Sequence, residues 1–223
     1  MSVNQIQLPC VHQTPRAGLC ALGVSLQARR FFVPIEGHVQ IGQKKLIHPP
    51  IDKLKVCFIG LLGGISGLYL INKVVRADPA LQCCWGCSTC AEQSTLHRML
   101  VACTPDNVTQ LHTACTDLFQ QHSRAYQHDF QHSLLILDLD LQGQRTSKHA
   151  EQATKGYFPG HRNAYGRQQA RVVAAQYDEV LVDQLYPGNT ALDPLIVTLI
   201  EAMEVALKLT PDQRWRVVVR IDP

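Results

Sequence analysis

The 223-residue chain is short of aromatics, at 6%, and of charge, at 17%. So little charge excludes a solvated, intrinsically disordered chain, and a hydrophobic share of 46% is enough to build a core. Cysteine is missing after Cys115, although nine precede or include it: Cys10, Cys20, Cys57, Cys83, Cys84, Cys87, Cys90, Cys103 and Cys115. An odd, bunched set argues against a disulfide framework. Together with the lack of a positive n-region leading into an apolar h-region, it predicts a reducing, cytoplasmic setting. The GLLGGISG stretch lacks a Gly-Lys-Ser/Thr ending, which excludes a nucleotide loop of that type. No Gly-x-Ser-x-Gly elbow accompanies the ten scattered histidines, so Ser-His-Asp chemistry has no support. Repeats and low-complexity tracts are absent. A net charge of +3 permits a nucleic-acid partner without requiring one.

Long hydrophobic runs are also scarce. Val56–Ile71 is sixteen residues, short of the ~20 that a spanning helix needs. Its Gly60/Gly64 and Gly63/Gly67 spacings let helices approach closely. With Lys53, Lys55, Lys73 and Arg76 on its flanks, it predicts a buried helix of a soluble protein and no membrane association.

The chain reads as three segments. Residues 1–50 look irregular and basic, with Arg16, Arg29, Arg30, Lys44 and Lys45 against Glu36. Residues 51–132 look helical. One helix covers Gln93–Ala102, and another starts at Thr104-Pro105-Asp106, a capping hydroxyl, a first-position proline and a first-turn acid. This pair reads either as a helix-turn-helix-like DNA contact or as two helices packed on a core. From residue 133 the pattern turns to strands: Ser133–Leu141, a hairpin of Gly166–Ala175 with Glu179–Tyr186, and Trp215–Ile221. Between the hairpin and the last strand, Leu192, Leu195, Ile196, Leu199, Ile200, Met203 and Leu207 trace an amphipathic helix, with Asn189 or Thr190 as its cap. Thr210-Pro211-Asp212-Gln213 has capping-box spacing. The fold class expected is α/β (α+β).

Three places carry candidate chemistry. Asp138 and Asp140 share one face of the first strand, with Leu137, Leu139 and Leu141 on the other. Asp222 follows the last strand, with Arg220 beside it. Strand-end acids are commonly just solvated; here two of them can also converge as ligands of a divalent cation. Residues 151–171 interleave Lys155, His161, Arg162, Arg167 and Arg171 with Tyr157, Phe158 and Tyr165. That mixture suits a DNA-tracking surface as well as it suits an exposed loop. Cys83, Cys84, Cys87 and Cys90, with His97 and His112 nearby, have metal-cluster spacing but only one compact group; buried core thiols are the plainer reading.

Four motifs, LLGGISGLYLINKVVRADPALQ with AEQSTLHRML, LLILDLDLQG, the stretch from AEQATKGYFPGHRN to LYPGNT, and VVVRIDP, resemble the N-terminal portion of bacterial insertion-sequence transposases of the DDE type. The resemblance covers most of the chain from about residue 50. It implies an RNase H-like catalytic domain over 133–223, a region binding transposon ends over 51–132, and DNA as partner. By the resemblance the first catalytic aspartate is Asp140 or Asp138, Asp140 preferred, and the second is Asp222. DNA contacts would fall on Lys155, Arg162, Arg167, Arg171, His97 and Arg98. Mg²⁺ or Mn²⁺ would be held by two aspartates and a glutamate for phosphodiester cleavage and strand transfer. The family's glutamate should come from a later helix, so the expectation is an incomplete sheet and an inactive, truncated enzyme. Two other expectations stand beside it: a non-catalytic DNA-binding fragment that represses the intact enzyme through ends or mixed oligomers, and a cysteine-cluster metal module.

Overall fold

The computed structural model describes residues 13–43 and 47–221. Cys10, Lys44, Lys45 and Asp222 therefore lie outside the described residues. The chain divides into two compact units, Met1–Asp117 and Leu118–Pro223.

The first unit is helical. It comprises α1 (Ala17–Ala28), α2 (Val33–His38), α3 (Pro50–Leu62), a 3-10 turn at Leu68–Leu70, α4 (Ile71–Val74), α5 (Pro79–Cys84), α6 (Gln93–Val101) and most of α7 (Pro105–His122). Trp85 is its centre, fully buried among Ile59, Ile71, Leu81 and Leu96, with Phe32 and Phe58 in edge or tilted ring contact. Its indole Nε1 donates to Leu19 O at 3.0 Å. A Cβ at Gly23 would sit 2.6 Å from that ring, so the glycine is what lets α1 lie against it. Asp78 caps α5, accepting from Leu81 N at 2.9 Å and from Thr14 Oγ1 at 2.6 Å.

Two expectations for this unit change. The segment read as irregular holds α1 and α2. The apolar run Val56–Ile71 is not one helix: α3 ends at Leu62, Gly64 takes φ of +69°, and the chain restarts in the 3-10 turn. Among the described residues no helix is long and apolar enough to cross a membrane.

The second unit is a mixed α/β structure on one sheet. Its strands are β1 (Leu135–Arg145), β2 (Thr154–Phe158), β3 (His161–Ala174), β4 (Glu179–Pro187) and β5 (Val217–Ile221). A 3-10 turn at Asp193–Leu195, α8 (Ile196–Leu207) and α9 (Pro211–Arg214) link β4 to β5. The strands run β2-β3-β1-β5, and β4 also pairs with β3. β1 is antiparallel to β3 and parallel to β5. β2 and β4 share one edge of β3, β2 against residues 161–166 and β4 against residues 167–174.

One face of the sheet is the core. Leu135, Leu137 and Leu139 of β1, Ala170, Val172 and Ala174 of β3 and Val182 of β4 are buried with Leu199, Met203 and Leu207 of α8. The helical repeat of α8 meets the period-2 repeat of the strands there. The expected cap at Asn189 or Thr190 is not used. α8 begins after the 3-10 turn with no side-chain cap, and Asn189 instead bonds Thr154. The capping box of Thr210 and Gln213 is present on α9.

Candidate functional site

The other face of the sheet carries the chemistry. Asp138 and Asp140 stand on it because β1 alternates, with Leu137 and Leu139 turned into the core. Opposite Asp138 on β5 is Arg220, and opposite Asp140 on β3 is Arg171. Arg220 Nε donates to Asp138 Oδ1 at 2.6 Å and Nη2 to Oδ2 at 2.7 Å. Those bonds hold the Asp138 carboxyl below the usual carboxylate range, against the opposing effect of burial. Arg171 is turned the other way along its row, with Nε 3.4 Å from Asp183 Oδ2. Gln169 also donates to Asp183, at 2.8 and 2.9 Å. Asp140 is exposed and no hydrogen bond or ion pair among the described residues engages it.

The sequence left Asp138 and Asp140 as alternatives. The geometry separates them: Asp138 is occupied by a guanidinium and Asp140 is open. Ile221, the last described residue of β5, stands opposite Leu139, next to Asp140 in the chain.

The cations fall in three places. Lys155, Arg167 and Arg171 lie on the face of Asp138 and Asp140, Lys155 with its ammonium 5.8 Å from the Tyr165 ring centroid. Arg167 Nε is buried with no hydrogen-bond partner among the described residues. Arg162 lies past the register shift, opposite Tyr157, at the exposed tip of the β2–β3 hairpin. His97 and Arg98 belong to the first unit, both exposed on α6 beside the buried Leu96 and Met99.

On the Leu137 and Leu139 side of the sheet, past Leu141, glycines build a wall, a feature that sequence reasoning missed. A Cβ on Gly156 would lie 2.0 Å from Gly188 O, one on Gly188 2.4 Å from Gly166 O, and one on Gly143 2.6 Å from Phe158. Backbone therefore meets backbone where β2 begins and β4 ends, and Phe158 is buried beneath. The turn of Pro187, Gly188 and Asn189 is pinned by Gln168 Nε2 donating to Gly188 O at 3.1 Å and by Asn189 N donating to Thr154 Oγ1 at 3.0 Å. A cavity of about 820 Å³ opens there, reaching from Asp140 to Tyr157, His161 and Thr190. The recurrence of glycine around aromatic residues in 143–188 was the available signal.

As for metals, Asp140 offers one open carboxylate. Among the described residues no three His, Cys, Asp or Glu side chains gather as a metal site. Mg²⁺ rests on one or two carboxylates plus substrate phosphates, and two ions need more than one open acid. The described donor set thus does not fit the two-metal arrangement. Among the described residues the cysteines likewise gather at no metal site. Cys87 and Cys90 are core thiols, pushed up by burial to about 11 and about 12, and Cys83 is exposed.

Comparison with protein-family models, with curated proteins and with solved structures gives no match.

Proposed function

We propose that this chain is part of an insertion-sequence transposase of the DDE type, with an RNase H-like second unit. We propose further that it binds DNA without cutting it as this polypeptide. The observation that carries the reading is the placement of β1. It is antiparallel to β3, parallel to β5 after a helical crossover, and it delivers Asp140 to a face shared with Lys155, Arg167 and Arg171. The path β4-β3-β1-β5 agrees with an RNase H-like sheet, and β2 is an additional strand on the edge of β3. A central-strand acid beside phosphate-binding cations suits phosphodiester chemistry. Among the described residues Asp140 is the open carboxylate of that face.

The reading is tested with duplex DNA in a mobility-shift titration and a nicking assay containing Mn²⁺. Binding should weaken steeply between about 50 and 200 mM salt. Nicking should not exceed that of Asp140→Ala. No binding at the lower salt overturns the DNA reading, and nicking that Asp140→Ala abolishes overturns the withheld cleavage.

A further inference from the structure

The cavity beside Asp140 is larger than a phosphate contact needs. Its volume of about 820 Å³ lies within the ~300–1,000 Å³ of sites that enclose small organic ligands. Its rim is unusual for a sheet surface. The β2–β3 pairing shifts register between Gly156 and Tyr157, a bulge that re-aims the next side chain. Tyr157 is left 75% exposed on that rim. Pro159 and Gly160, the latter with φ of +75°, turn the chain so that His161 comes back to the same cavity. Arg145, at the end of β1, faces it from the other strand. The floor is rigid: Phe158 is buried, and Gln168, 8% exposed, is held by its bond to Gly188 O.

An exposed aromatic, two flanking basic side chains and a fixed polar floor match one nucleotide, with a flat base and an anionic phosphate. Inside a duplex both ring faces are covered by stacking on neighbouring pairs, so a base that enters the cavity from within a strand is unstacked and unpaired. We propose that this cavity takes a single unpaired nucleotide of a DNA strand, its base stacked on Tyr157 and its phosphate met by Arg145 and His161. Asp140 also lines this cavity, so an unpaired strand rather than intact duplex would reach this part of β1. This rests on the DNA-binding reading above and deepens it.

The test uses the full chain, a short single-stranded oligonucleotide carrying one 2-aminopurine, and a duplex of matching length. Wild type should bind the single strand and quench the 2-aminopurine by stacking. Tyr157→Ala should lose the quench and bind the single strand about tenfold more weakly, the loss expected for one base–aromatic stack. Tyr157→Phe should keep the quench, and Arg145→Ala with His161→Ala should weaken single-strand binding. Duplex binding should be unchanged by Tyr157→Ala. Tyr157 is exposed, so folding is not at stake, and circular dichroism of each variant confirms it. Duplex binding with no quench, or a quench that survives Tyr157→Ala, overturns this inference alone. Free nucleoside monophosphate displacing the oligonucleotide at comparable concentration overturns the strand specificity. Failure to bind any DNA overturns the underlying reading instead.

Discussion

Arg220 grips both carboxylate oxygens of Asp138, at 2.6 and 2.7 Å, from a strand 82 residues further along the chain. The pair ties β5 to β1 and removes one of two neighbouring acids from service. Both side chains are about half exposed, so the pair contributes less than about 1 kcal/mol at neutral pH. The carboxyl's folded pKa lies below its usual 3.8, so the contribution is present above that value and is lost as pH falls through the folded value. Arg220→Met should therefore be slightly less stable than the parent at pH 7 and equal to it in strong acid. Urea unfolding at the two pH values checks this, and an equal deficit at both contradicts it.

Glu179 clamps the hairpin of β3 and β4 to the segment after α7. Its carboxylate accepts from Ser123 Oγ at 2.6 Å, Ala125 N at 3.0 Å, and Arg124 N and Nε at 3.2 Å each. Burial alone would raise its pKa, but these donors outweigh burial and lower it from 4.5. Glu179→Gln turns one acceptor oxygen into a donor facing other donors. It should cost about 1–3 kcal/mol of unfolding free energy at neutral pH. The difference from the parent should shrink as pH falls below 4.5.

Gly156 is where β2 passes over Gly188. Gly156→Ala would place a methyl 2.0 Å from a carbonyl oxygen that the turn cannot move freely. It should disrupt the second unit, seen as lost thermal cooperativity or insolubility. Gly18, inside α1, has nothing within 4 Å of a built Cβ. Gly18→Ala should be neutral or stabilising by up to about 1 kcal/mol. Similar outcomes for the two variants would contradict the close approach.

The thiols should divide by burial. At pH 8 an alkylating reagent should label Cys83 in the native protein and reach Cys87 and Cys90 only on unfolding, since those two are buried with raised pKa values. Purified protein should carry no stoichiometric zinc or iron at Cys83–Cys90. Metal content by elemental analysis, with peptide mapping of the label, checks both statements.

Much of the second unit was legible in the sequence because its periods are clean. β1 alternates, α8 has an unbroken apolar stripe, and Thr210-x-x-Gln213 states its own cap. β2 was not legible. Thr154–Phe158 carries a lysine, a glycine and exposed tyrosine, and its strand state depends on Gly166 and Gly188 far along the chain. α1 was missed for a related reason: only Cys20 and Gly23 are buried in it, and Gly23 contributes space rather than an apolar side chain. The Val56–Ile71 run hid its own break, because Gly63 and Gly64 read equally as close helix packing and as a helix stop. Both aspartates of β1 were found by alternation alone. Which of them is open depends on Arg220, and no local pattern reports a partner 82 residues away.

The placement of β5 has a consequence for how the chain comes to be folded. β1, β3 and β4 pair antiparallel within residues 135–187, whereas β5 joins β1 in parallel only after the crossover through α8. Chains are made from the N-terminus, so the antiparallel pairs are available before residues 217–221 leave the ribosome. The long-range parallel pairing must close the larger loop and comes last. Until then one whole edge of β1, the strand bearing Asp138 and Asp140, stays unzipped, and Asp138 waits for its guanidinium.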